Sequence, residues 1–100
     1  MYDFERSRVF ADWLNALRDN IGKVRILARI RAAEFGDFGD WQPVGESVYE
    51  MRIHHGPGYR LYFTRRGAVV YLLLAGGDKS TQQRDIKCAI QMAQSIADKE

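Results

Sequence analysis

Apolar residues recur with helical spacing through the first third of the chain. In "SRVFADWLNALRDN", Val9, Phe10, Trp13, Leu14 and Leu17 share one side of a helix and Arg8, Asp12, Asn15 and Asp19 the other. "GKVRILARIRAAEFG" repeats the pattern, with Val24, Leu27, Ile30 and Ala33 or Glu34 near one face. Ile21 and Gly22 read as a short connection, so the two helices are expected to form an antiparallel hairpin. The stretch from Gly36 to Ser47 holds Gly36, Gly39, Pro43 and Gly45 and reads as an irregular loop. Beyond it the period drops to two. Tyr49, Met51, Ile53, Leu61 and Phe63 fall on one face of a strand pair, and Glu50, Arg52, His54, Arg60, Tyr62 and Thr64 on the other. Turning the pair at Gly56, Pro57 and Gly58 sets His55 opposite Tyr59, His54 opposite Arg60 and Arg52 opposite Tyr62. "GAVVYLLLA" predicts a third strand, covered on most of both faces. Ile86, Ala89, Ile90, Ala93 and Ile96 then define a terminal helix, with Ser80 and Gln83 at capping-box spacing before it. A short strand near Tyr2 to Glu5 would bring the sheet to four.

These elements predict an α+β domain: helices packed on one face of a small antiparallel sheet of three to four strands, with the polar strand face open to solvent. A chain of 100 residues reads as one domain, residues 1–100, with one modest core. A net charge of +2 does not by itself imply a nucleic-acid partner, so the placement of charge matters more. From Met51 to Arg66 there is no acidic residue. Cys88 is the single cysteine, which excludes a disulfide framework and fits a reducing cytoplasm. The opening "MYDFERSRVF" does not resemble a secretory signal, and "AVVYLLLAGG", the longest apolar run, has the length of a strand rather than a membrane span.

The polar strand face carries the candidate chemistry. Arg52 and Arg60 offer planar guanidinium forks for phosphate oxygens, His54 can exchange a proton near neutral pH, and Tyr62 can stack on a base or bond a phosphate. Together they suffice for RNA cleavage, in which a 2′-oxygen attacks the adjacent phosphate and an acid protonates the leaving 5′-oxygen. The same pattern suits a solvated sheet face or a partner interface. Glu50 is a candidate proton acceptor and equally a salt-bridge partner for Arg52. Asp78 and Lys79 either bring charge to the sheet edge or flank the helix cap. Lys23, Arg25, Arg29 and Arg31 read as an electrostatic track or a solvated helix face. Adjacent strand residues point to opposite faces, so His54 and His55 are not expected to share a metal ion. No metal or other cofactor is expected.

The stretches "WLNALRD", "RILARI", "FGDFGDWQPVGESVYEMRIHHGPGYRLYF" and "LLLAGGDKSTQQRDIKCA" resemble addiction-module killer proteins, a subgroup of the RelE/ParE toxin superfamily near its HigB and phage Gp49-like branch. The resemblance runs from about Phe10 to Ala93. It implies a RelE/ParE-like fold and a type II toxin, neutralised by a helix-turn-helix antitoxin and reaching operator DNA only through it. It also implies a cytoplasmic, metal-independent endoribonuclease that cleaves mRNA on the ribosome. Arg60 in "GYRLYF" matches the arginine that contacts the scissile phosphate, Arg52 in "EMRI" a basic strand position, and Lys79 lies near a basic position before the last helix. His54 is the candidate acid or base. Tyr62, Arg25, Arg29 and Arg65 are candidate RNA contacts. The chain departs from RelE-type toxins in having Glu50 at a lysine position and no matching C-terminal tyrosine. Two alternatives stay open: a ParE-like, non-enzymatic inhibitor of DNA gyrase, and an inactive toxin retained as a co-repressor.

Overall fold

A computed structural model describes residues 1–99. Among them the order is β1 (Asp3–Arg6), α1 (Arg8–Ala16), α2 (Asn20–Glu34), β2 (Trp41–Gly45), β3 (Val48–Ile53), β4 (Tyr59–Arg65), β5 (Val70–Asp78), a 3-10 turn (Lys79–Thr81) and α3 (Gln82–Lys99). The fold is α+β, with one five-stranded sheet in the order β1-β5-β4-β3-β2.

The sheet differs from expectation at both edges. β1 runs parallel to β5, so the sheet is mixed rather than antiparallel. β2 lies where an irregular loop was expected and pairs antiparallel with β3. Its sequence conceals it because Pro43 is tolerated only where a strand has a free side, and β2 has one as the sheet edge. The β2–β3 turn carries Glu46 and Ser47 at φ of 49° and 65°, a left-handed pair usually signalled by Asn-Gly. Thr64 supports this turn by donating its hydroxyl to the Ser47 carbonyl at 2.8 Å.

Helices cover both sheet faces, where packing on a single face was expected. On one side Phe10, Leu14, Ile26, Ile30 and Ala33 pack with Met51, Ile53, Tyr59, Leu61, Phe63 and Leu73. On the other, Ala89, Ile86 and Ile90 of α3 pack with Val48, Tyr62, Leu72 and Leu74. Burying each large side chain stabilises the fold by about 1.5–3 kcal/mol before conformational entropy is subtracted. The continuous apolar run of β5 follows, since this inner strand meets helices on both sides.

Three local expectations also shift. The link between α1 and α2 is Leu17–Asp19, and Ile21 and Gly22 lie inside α2. The buried face of α2 is Gly22, Ile26, Ile30 and Ala33, while Val24 and Leu27 face outward. The cap after β5 is Asp78 rather than Ser80: its carboxylate accepts from the Ser80 amide at 2.8 Å, and Thr81 closes the capping box.

Candidate functional site

The loop between β3 and β4 is longer than the predicted turn. Pairing ends at Ile53 opposite Tyr59, so Arg52 faces Arg60 and Glu50 faces Tyr62, two residues displaced from the expected register. An even displacement preserves which face each side chain occupies. His54 through Gly58 form the loop, with Gly56 and Gly58 at φ of 55° and 79°, a region open to glycine without strain. Asp19 anchors it. The Tyr59 hydroxyl donates to the Asp19 carboxylate at 2.8 Å, His55 Nε2 lies 3.4 Å from the same oxygen, and the Gly22 amide donates to the other at 2.9 Å. The Gly22 amide and Tyr59 hold Asp19 below the usual carboxylate range, and burial together with Asp19 pushes the Tyr59 phenol up to about 12. Gly22 permits this approach, because a Cβ there would lie 2.6 Å from the Tyr59 ring.

On the other side, the Lys79 amide donates to the Pro57 carbonyl at 3.4 Å, which ties the loop to the turn before α3. The result is a shallow depression lined by His54, His55, the Gly56–Gly58 backbone, Arg60 and Lys79. Arg60 is only 8% exposed, and its Nε and Nη1 find no hydrogen-bond partner among the described residues. A buried cation in that condition costs several kcal/mol. Arg52, directly opposite, adds a like charge.

Beneath α3 the same face continues as a polar cluster. Glu50, with no exposed surface, accepts from Arg52 Nε at 3.0 Å and from Gln82 Nε2 at 2.9 Å. Asp85 is buried and accepts from the Thr81 hydroxyl at 2.5 Å. Tyr62 is fully buried beside these acids, and its hydroxyl has no well-formed hydrogen bond among the described residues. Burial first, and the Glu50 charge second, push its phenol well above the usual range.

The candidate residues thus separate. Arg60, Lys79 and His54 meet around one depression. Arg52 stands beside it but is committed to Glu50, a pairing left open as an alternative by the sequence. His54 lies outside the strand and bonds Asp40 Oδ2 through Nε2 at 2.6 Å, which lowers the Asp40 pKa. Tyr62 cannot stack on a base from its place under α3. Arg29 lies on the opposite layer and donates to the carbonyls of Arg52 at 2.5 Å and Phe38 at 3.0 Å, stapling the β2 approach to the end of β3. Arg65, at the far end of β4, stitches its own turn through the Gly67 and Ala68 carbonyls at 2.8 and 2.9 Å. Arg25 is exposed on α2 and does not line the depression. Sequence reasoning missed Asp40, Gln82 and Asp85 as members of the site. Asp40 lay in a presumed loop, and the two α3 residues required knowledge of which sheet face that helix covers.

No helix among the described residues is long and apolar enough to cross a membrane. No family model matches the chain. A protein of Haemophilus influenzae, described as uncharacterized, is 45% identical to it over 87 residues, 87% of this chain and 88% of that protein. Identity at that level over nearly the full length of both places this chain in one family with the Haemophilus influenzae protein.

Proposed function

We propose that this protein is a toxin of the RelE/ParE superfamily that cleaves mRNA on the ribosome without a metal ion. The observation that carries the reading is Arg60: a guanidinium 8% exposed, with Nε and Nη1 unpartnered among the described residues, on the floor of a depression shared with His54 and Lys79. Under this reading an incoming phosphodiester meets Arg60 where it lines the depression, and its negative charge would relieve the Arg52–Arg60 repulsion. In this scheme Arg60 binds the scissile phosphate and stabilises the charge that builds on it, while Lys79 adds a second cation. His54, oriented by Asp40, exchanges the proton that the 2′-hydroxyl loses or the 5′-oxygen gains. Arg52, aligned by Glu50, is a positioning residue.

The α1–α2 pair, β3–β4 and α3 suit a RelE/ParE-like arrangement with an N-terminal helical hairpin. The reading carries with it a cytoplasmic location, the ribosome and its message as target, a helix-turn-helix antitoxin as partner, and operator DNA contacted only through that antitoxin. A gyrase-inhibiting reading gains from one observation: Arg52 is ion-paired with Glu50 and His54 is hydrogen-bonded to Asp40, which leaves Arg60 and Lys79 as a simple cationic docking point.

Primer extension on a defined message in a reconstituted translation mixture tests the proposal, with wild type and Arg60→Met, with and without ribosomes. Cuts that require both ribosomes and Arg60 support it. An intact message from a preparation that still arrests growth overturns it, and inhibition of gyrase supercoiling by that preparation would establish the second reading.

A further inference from the structure

Phe38, Trp41, Tyr49, Phe63 and Tyr71, from the approach to β2 and from β2, β3, β4 and β5, meet as one cluster of rings beside the α1–α2 core. Phe63 lies at the bottom, 2% exposed, with its ring centroid 5.6 Å from Tyr49 and 5.7 Å from both Phe38 and Tyr71. Trp41 stands at the rim, 48% exposed and 5.8 Å from Tyr49 at an interplanar angle of 68°. With Arg65 these rings line an open cavity of about 240 Å³. Rings of this size ordinarily close on one another or on a covering element, and a concave aromatic surface left open has the form of a small-ligand site.

Size and charge narrow the ligand. The volume accommodates one planar heterocycle and little more. Steeply angled rings could also cage an organic cation, but Arg65 on the wall repels one and no acidic residue lines the cavity. Tyr49 and Arg65 also line a neighbouring shallow hollow, together with Ser47, Arg66 and Gly67. No carboxylate lines that hollow either, and Arg66 meets Glu5 at 3.7 Å on the surface. The Arg65 guanidinium is held in place by the Gly67 and Ala68 carbonyls, which accept from Nε and Nη2 and use only part of its donor set. An aromatic pocket joined through one arginine to a cationic hollow matches a flat ring with an anion one sugar away. We infer that this cavity binds a nucleotide, with its base stacked among Trp41, Tyr49 and Tyr71 and its phosphate on Arg65. The site shares no lining residue with the Arg60 depression, and the inference does not rest on the nuclease reading.

The test is calorimetry on the full chain without ribosomes, using the common ribonucleoside 5′-monophosphates, the matching nucleosides, ribose 5-phosphate and N-acetyltryptophanamide. Wild type is compared with Trp41→Leu, Trp41→Phe and Arg65→Gln, all at exposed positions, with circular dichroism and Tm confirming folding. The expected result is saturable binding of at least one nucleotide, with ribose 5-phosphate and the nucleoside each bound more weakly. Trp41→Leu should weaken nucleotide and nucleoside alike by about tenfold, and Trp41→Phe should restore most of the loss. Arg65→Gln should weaken the nucleotide by about fivefold or more and leave the nucleoside unchanged. Displacement of the nucleotide by a single-stranded hexanucleotide at lower concentration assigns the ligand to an RNA strand, and equal potency assigns it to the free nucleotide; the inference holds in both cases. Equal affinity for nucleoside and nucleotide, nucleotide affinity unmoved by Trp41→Leu, or no nucleotide binding at millimolar concentration overturns it. So does tighter binding of N-acetyltryptophanamide, since the occupant would then be a side chain of a protein.

Discussion

The two faces of the β3–β4 pair are built from alternate residues of the same strands and solve different problems. Toward α1 and α2, Met51, Ile53, Leu61 and Phe63 are buried among aliphatic and aromatic neighbours. Toward α3, Glu50, Arg60 and Tyr62 are just as buried, yet Arg60 and Tyr62 retain polar atoms without partners among the described residues. The first face stabilises the domain. The second gives up part of that stability to hold charge away from water, where, under the proposed function, a phosphate would be attracted more strongly than by a solvated side chain.

Substitutions on the two faces should therefore separate folding from binding. The largest effect is expected at Leu61→Ala, which leaves a cavity beneath α1 and α2 and lowers stability by about 2–5 kcal/mol in a denaturant titration. Glu50→Ala should follow, at about 1.5–3 kcal/mol, because it strips a buried acceptor from both Arg52 and Gln82. Arg60→Met reverses the sign. Replacing a buried, unpartnered cation with an apolar side chain of similar length should raise stability by about 1 kcal/mol while removing phosphate binding measured by calorimetry. A large stability loss at Arg60→Met would mean that Arg60 supports the fold rather than a ligand.

Asp19→Ala should give the smallest change, and one that depends on pH. The folded-state pKa of Asp19 is depressed below 3.8, so its contribution is fully present above that pH and disappears as pH falls through the lower folded value. The Tm gap between wild type and Asp19→Ala should thus be constant near neutrality and close on acidification below about pH 4. Tyr59 gives the opposite limb: its pKa is raised to about 12, so the advantage of wild type over Tyr59→Phe holds below pH 10 and is lost as pH rises toward 12.

Much of the hairpin was legible in its residues. Strict alternation assigned every side chain from Glu50 to Ile53 and from Arg60 to Thr64 to its face, and an error of two in register left those assignments intact. The site was less legible. Its polar face reads as solvent-exposed until α3 is laid over it, and the amphipathic pattern of α3 does not name the sheet face it will choose. Arg29 and Arg65 look like free cations in sequence, but distant carbonyls decide that they serve as structural staples.

By itself, then, the sequence determined the helices, the three long strands and the parity of the hairpin, because these follow from local periodicity and backbone sterics. Tertiary structure alone decided the edge strand that Pro43 obscures, the parallel pairing of the short first strand, and which apolar side of α2 turned inward. It also made Arg60 a buried cation. Those outcomes depend on burial against residues far away in the chain, and burial is a property of the packed domain rather than of any single segment.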